Sequence, residues 1–210
     1  MIRIEHVEVF NFKGAIRGLR NPMNSWDKSD SWFDSDNPSR FEIGNADLAL
    51  MKKLYKGGSE HRKYLRQIFI SMDITCNQTW WAEFDTYKIN VTRDSCSKMH
   101  RIHVKEFTPD DFSTEGIDEV GGRTKEVFDI VLEELERLRN LFNETQEKKY
   151  WRAIIDLLPM GYNLRATVTM NYENAINMIR QRTGHKMIEW NQFVDVLKGL
   201  PYMKEITEEE

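Results

Sequence analysis

Cysteine is scarce in this chain of 210 residues, with only Cys76 and Cys96, which stand 20 positions apart. A chain of this length buries enough core to fold without covalent staples, so free thiols are expected rather than a disulfide. Long apolar runs are missing as well. None approaches the roughly 20 residues that span a bilayer, and the opening Met1-Ile2-Arg3-Ile4-Glu5-His6 carries charge where a signal peptide needs an apolar core. A soluble, cytoplasmic protein with no membrane partner is expected. There is no basic excess: the net charge is -4 and the pI about 5.8, which excludes a general nucleic-acid binder. The phosphate-loop, dinucleotide-glycine, nucleophile-elbow and metalloprotease-helix patterns are absent, as are internal repeats and low-complexity tracts. What is present is 40% hydrophobic and 11% aromatic content. That is enough for one sizeable core, so residues 1–204 read as a single domain followed by an acidic tail at 205–210.

Residues 1–12 read as a strand whose alternation slips near His6. Residues 21–40 are rich in Ser, Asp and Asn, and form a long surface loop in which Trp26 and Trp32 act as anchors; its length also suits a lid or binding loop. A short helix at 47–56 stops at Gly57-Gly58. Ile68, Ile70, Met72 and Ile74 alternate with Phe69, Ser71 and Asp73, the period of a strand with one buried face. A helix at 78–88 follows, its Trp80, Trp81, Phe84 and Tyr87 on helical spacing either for core packing or as a platform for a planar ring. The clearest helix runs from 124 to about 146, with Glu133 four residues before Arg137. Helices at 150–158, 172–182 and near 187–197 and a β-type run at 166–170 complete the pattern.

Two stretches carry chemistry. From Pro159, an Arg follows after six residues (Arg165), an Asn after twelve (Asn171), and a further Arg eleven beyond that (Arg182). Earlier, after the strand at 68–74, the helix at 78–88 ends on Thr86-Tyr87-Lys88, and seven residues then separate it from Cys96-Ser97-Lys98-Met99. This order and spacing resemble the flavin-dependent thymidylate synthase family. There, an Arg-His-Arg triplet ends the helix after a half-buried strand, a Ser stands seven residues on within Ser-x-Arg-Tyr, and the Leu-Pro, Arg, Asn, Arg pattern follows. Here the triplet reads Thr86-Tyr87-Lys88, the Ser position is Cys96, and an Arg two beyond the Asn is Glu173. The resemblance covers roughly residues 45–200.

The resemblance implies an α/β (α+β) fold with a central mixed or antiparallel sheet and long helices, assembled as a homotetramer with pockets shared between subunits. It implies FAD, held by Thr86, Tyr87, Lys88 and Asn171, and deoxyuridylate (dUMP) or another phosphorylated nucleotide, held by Ser97, Lys98, Arg165 and Arg182. Cys96 is the catalytic candidate, because a thiolate beside Lys98 and Arg101 is a better nucleophile than Ser; a small buried thiol is the plain alternative. Guanidinium meets two phosphate oxygens at once where Lys offers a point charge, so Thr-Tyr-Lys for Arg-His-Arg weakens anion binding and Glu173 opposes it. A nucleotide-binding protein that senses or sequesters its ligand is therefore expected. A divergent flavin-dependent pyrimidine-modifying transferase is the alternative, and an oligomer without ligands is the plain third reading. Such a protein suits a phage or mobile-element gene. A rival metal set, Cys96, His100 and His103 with His61 or Cys76, lacks a second ligand pair of standard spacing, and no metal is expected.

Overall fold

The computed structural model describes residues 1–37 and 39–208; Pro38 of the long loop and Glu209 and Glu210 of the acidic tail lie outside the described residues. In chain order the elements are β1 (Arg3–Phe10), α1 (Phe12–Arg20), β2 (Trp32–Phe33), β3 (Phe41–Glu42), α2 (Asn45–Lys56), β4 (Phe69–Asn77), α3 (Gln78–Phe84), β5 (Thr92–Ser95), α4 (Lys98–Arg101), α5 (Glu115–Val120), α6 (Gly122–Thr145), α7 (Lys148–Leu157), β6 (Asn163–Asn171), α8 (Tyr172–Arg182), α9 (Ile188–Lys198) and α10 (Met203–Thr207). The main sheet has the order β1-β4-β6-β5, and β2 and β3 form a separate antiparallel hairpin. This is the expected α/β class, an antiparallel sheet with long helices.

The chain divides into two compact units. One comprises Met1–Arg3, Ile74–Thr86 and Asp94–Ala166; the other comprises Ile4–Asp73, Tyr87–Arg93 and the residues from Thr167 onward. The boundaries fall inside β1, β4, β5 and β6. Both long strands show the period of two: Ile70, Met72, Ile74 and Cys76 are buried along β4, and Leu164, Ala166, Val168 and Met170 along β6.

The first unit is built around α6 and α7, whose Phe128, Leu135, Leu138 and Ile154 enclose a core with Phe107 and Phe112. Arg137 pairs with Glu134 at 2.7 Å rather than with Glu133, because three residues also bring side chains onto one helical face. Val127 and Ile130 of the same helix face solvent. Asn77 caps α3, its side chain accepting the Trp80 N–H at 2.9 Å. Trp80, Trp81 and Phe84 are fully buried, and Trp81 donates its indole N–H to the Leu164 carbonyl at 3.0 Å. Their aromatic spacing is therefore core packing and not a stacking platform. The helix stops at Phe84, short of the expected Lys88; Thr86 turns its hydroxyl back to the Glu83 carbonyl at 2.7 Å, a local bond that competes with helix continuation.

In the second unit, the slip of β1 at His6 corresponds to a left-handed backbone with φ of 52°. The loop at 21–40 contains two 3-10 turns and β2, which pairs with β3 just beyond the loop. Trp26 and Trp32 are 52% and 54% exposed, so they do not anchor it. Asp47 does. Fully buried on α2, its carboxylate accepts Arg20 Nε at 2.8 Å, the Ser29 and Ser31 hydroxyls at 2.7 Å each, and the Asp30 and Ser31 N–H groups at 3.2 and 3.1 Å. Asp30 in return accepts the first free N–H groups of α2, from Ala46 at 2.9 Å and Asp47 at 3.1 Å, a cap supplied from a distant segment. Gly44 is required at this close approach, since a Cβ would lie 2.2 to 2.5 Å from Asp30 atoms.

Candidate functional site

In the first unit the chain leaves β5 at Ser95, and Cys96 donates its backbone N–H to the Arg165 carbonyl of β6 at 3.2 Å. That ladder contact sets Cys96, Ser97 and Lys98 beside the first half of β6. Together with Arg101, Tyr162 and Arg165 they line a hollow of ≈ 180 Å³. Cys96 and Arg165 are exposed, so the plain reading of Cys96 as a buried thiol does not hold. Lys98 Nζ donates to Gln78 Oε1, and Gln78 is held in turn by its Nε2 donating to the Pro159 carbonyl at 3.2 Å. Tyr162 escaped sequence reasoning, since a lone Tyr after Pro-x-Gly has no signal of its own. Burial, with the Asp111 and Cys96 charges nearby, holds its phenol above the ordinary value, so it acts as a neutral hydrogen-bonding group at neutral pH. The hollow thus joins an exposed nucleophile type, a protonated phenol and three cationic side chains, an arrangement suited to a phosphate or another small anion.

Of the remaining candidates, Thr86 closes a segment of the first unit, and Tyr87, Lys88, Asn171 and Arg182 fold into the second. Arg182, in the last turn of α8, donates through Nε to Tyr87 Oη at 2.9 Å and stacks over the fully buried Trp190 ring at 4.5 Å. Tyr87 in turn donates its O–H to Gln181 Oε1 at 2.9 Å. His185 completes the nest, with Nε2 lying 3.2 Å from Arg182 Nη1. Cation–aromatic contact and the charge-assisted hydrogen bond together fix the guanidinium plane. Trp190 was invisible as a site residue, because an aromatic on an amphipathic helix reads as core.

Asn171 is 3% exposed and caps α8: its side chain accepts the Asn174 N–H at 3.0 Å, while Asn174 returns the bond at 3.3 Å. Asn174 also donates to the Ile89 carbonyl at 2.9 Å, tying down the segment after Tyr87. Thr86 and Lys88 are exposed. Glu173 does not stand as an unopposed negative charge. It accepts Arg62 Nε at 3.3 Å and Arg66 Nε at 2.5 Å, so the local balance is one net positive charge. No local pattern points to these partners, which lie more than 100 residues away in the chain.

Among the described residues no group of His, Cys, Asp or Glu is arranged to hold a metal ion, and the His103 ring packs 4.9 Å from Phe142. Both cysteines are free thiols. No described helix is long and apolar enough to cross a membrane.

No family model matches the chain, and no curated protein matches it by sequence. Solved structures do match over nearly its whole length. A crystal structure of Thymidylate Synthase X (ThyX) from Helicobacter pylori with FAD and dUMP has 17% identity and a TM-score of 0.64, covering 99% of this chain and 96% of that one. A second structure, of flavin-dependent thymidylate synthase ThyX from Helicobacter pylori complexed with FAD and dUMP, has 16% identity and a TM-score of 0.66, covering 99% and 97%. The chain has a ThyX-like fold.

Proposed function

We propose that the chain binds a nucleotide or a related phosphorylated ligand on this scaffold, and senses or sequesters it without turning it over. The observation that carries the reading is the hollow around Cys96, where Ser97, Lys98, Arg101 and Arg165 offer hydroxyl, ammonium and guanidinium donors to one small volume. Arg182, held by Tyr87 and Trp190, supplies a separately pre-organised cation, and pre-organisation lowers the ordering cost of binding. The motif is a divergent one: Thr86-Tyr87-Lys88 and Cys96 replace the family residues.

The same replacements argue against a tightly held flavin. Thr86 spends its hydroxyl on Glu83 and Tyr87 its phenol on Gln181 and Arg182, so Lys88 is the one cation of that triplet. This donor set fits a single phosphate better than a dinucleotide. The homotetramer with pockets at subunit interfaces belongs to the proposal, supported by the exposed apolar Val127 and Ile130 on α6. A second reading, a divergent flavin-dependent pyrimidine-modifying transferase, is favoured by one observation: Cys96 is exposed beside Lys98 and Tyr162.

Absorption spectra and mass spectrometry of small molecules released from denatured protein separate the two readings. Calorimetric titration with dUMP and with FAD then completes the test. The binding reading expects no yellow flavin, saturable dUMP binding, and about a tenfold loss of affinity in Arg182→Ala, the weight of one charge-assisted contact. Stoichiometric released flavin overturns it in favour of the enzyme.

A further inference from the structure

A second cavity lies wholly within the second unit, among α2, α8, the end of α9 and α10, and has a volume of ≈ 500 Å³. Its floor is apolar, formed by Ile176, Ile179 and Met203, of which Ile176 and Met203 are core residues. Its rim is cationic, with Arg180, Lys198 and Lys204. Among the described residues no carboxylate pairs with any of these three, whereas Glu173 in the same helix takes two arginines. Arg180 is partly fixed: it donates Nη2 to Tyr55 Oη at 2.7 Å and lies 5.6 Å from the Tyr55 ring centre. A guanidinium has five N–H donors, so the one bond to Tyr55 leaves others for a ligand. Glu208 at one end brings the formal charge of the lining from three positive to two. None of these residues belongs to the Cys96 hollow or the Arg182 nest.

A cavity of a few hundred Å³ with an apolar lining and a few convergent polar groups is the usual form of a small-molecule site. We propose that this one takes an amphipathic anion: an oxyanion head on a short aliphatic or aromatic body. The body packs on the floor, where half-buried Ile179 is the residue that otherwise leaves apolar surface in water beside the core residues Ile176 and Met203, and the head meets Arg180, Lys198 and Lys204. The floor presents branched alkyl and thioether groups, and the two hydroxyls of the lining are engaged, Thr207 donating to the Met203 carbonyl at 2.8 Å and Tyr55 accepting from Arg180 at 2.7 Å, so it lacks the ring of donors and acceptors that reads a nucleobase. The ligand class is thereby distinct from a nucleotide.

The test uses 1-naphthaleneacetate as probe and its uncharged isostere 1-naphthaleneacetamide as control, titrated calorimetrically into the full chain. One saturable site for the acetate is expected, with the amide at least about tenfold weaker, the weight of a charge-assisted head-group contact. Lys198→Glu combined with Lys204→Glu is expected to weaken the acetate by a similar factor, and Thr207→Trp, which fills the cavity, to abolish binding. Arg182→Ala is expected to leave it unchanged. Circular dichroism checks that each variant is folded, and Thr207→Trp carries the test if the double Glu variant is not. No saturable binding to the wild type, equal binding of acid and amide, or binding that survives both Lys198→Glu/Lys204→Glu and Thr207→Trp overturns the proposal.

Discussion

Three charged groups of the second unit, Asp47, Glu173 and Arg182, are locked into partners, whereas those around Cys96 in the first unit stand at or near the surface. Asp47 is enclosed by Arg20, two serines and two backbone N–H groups, Glu173 by two arginines, and Arg182 by Tyr87 and Trp190. Cys96, Arg101 and Arg165 are exposed, and only Lys98 among the cations of that rim is half-buried. Locked charges hold the backbone in place and give up part of their capacity for a ligand; exposed ones contribute little to stability and are open to one. Each region can be tested by itself, Asp47 and Glu173 for what a locked charge holds in place and the Cys96 rim for what an exposed one offers.

The largest effect is expected at Asp47→Asn. It leaves Arg20 buried without its counter-charge and loosens the 29–31 segment, costing about 3–5 kcal/mol, the usual result of removing one partner of a buried ion pair. Chemical denaturation measures it. The pH dependence has a definite sign. Burial alone raises the Asp47 carboxyl, but hydrogen bonds from Ser31, Ser29 and Arg20 outweigh it and hold it below its ordinary 3.8. A folded value below the unfolded one gives stability that is complete above 3.8 and is lost as pH falls through the lowered folded value. Asp47→Asn is expected to remove this part of the acid limb of a stability–pH curve. An unchanged acid limb would place the acid sensitivity elsewhere, for instance at Asp111, lowered by Lys105 and Thr108 against the effect of its burial.

Glu173→Gln comes next and sharpens the comparison. It releases Arg62 and Arg66 from their shared carboxylate at a cost of about 1 kcal/mol, because the pair is partly buried. Two guanidiniums are freed at the position where the family resemblance places a phosphate-binding Arg, so dUMP affinity is expected to rise roughly threefold, modestly because the site is screened. A fall in affinity would mean that the arginines only hold the first turn of α8.

The α/β class, the buried faces of β4 and β6 and the course of α8 were legible, because period-two and period-3.6 patterns report burial directly. Even the slip at His6 had a structural counterpart in its positive φ. What could not be read is long-range. Asp47 in a helix of alternating polar and apolar residues looks like any first-turn acid, and its five donors come from segments 16 to 27 positions earlier. Trp26 and Trp32 were read as anchors because of their size, yet the short polar Ser29 and Ser31 do the anchoring, through hydrogen bonds no hydropathy pattern encodes. At the candidate site, the family resemblance groups Ser97, Lys98 and Arg165 with Arg182, whereas the structure lines one hollow with the first three and Cys96 and sets Arg182 in the other unit; Tyr162 and Trp190 gave no signal in the sequence. Glu173 shows the same limit from the other side: its charge was visible and its neutralisation was not.

Arg165→Gln is the smallest expected effect on the fold and the sharpest test of the contrast. Arg165 stands exposed on β6, and the variant keeps the backbone carbonyl that accepts from Cys96. Stability should therefore change by no more than about 0.5 kcal/mol, as for surface substitutions generally. If the rim captures phosphate, the loss of a guanidinium fork should still cost dUMP about tenfold in affinity, and Arg165→Lys should recover only part of it, since an ammonium keeps the charge without the bidentate geometry. Paired melting and calorimetry on the two variants read both quantities on the same protein. Equal affinity in wild type and Arg165→Gln would remove this residue from the ligand site, and a large loss of stability would show that the rim is as structural as the Asp47 cluster.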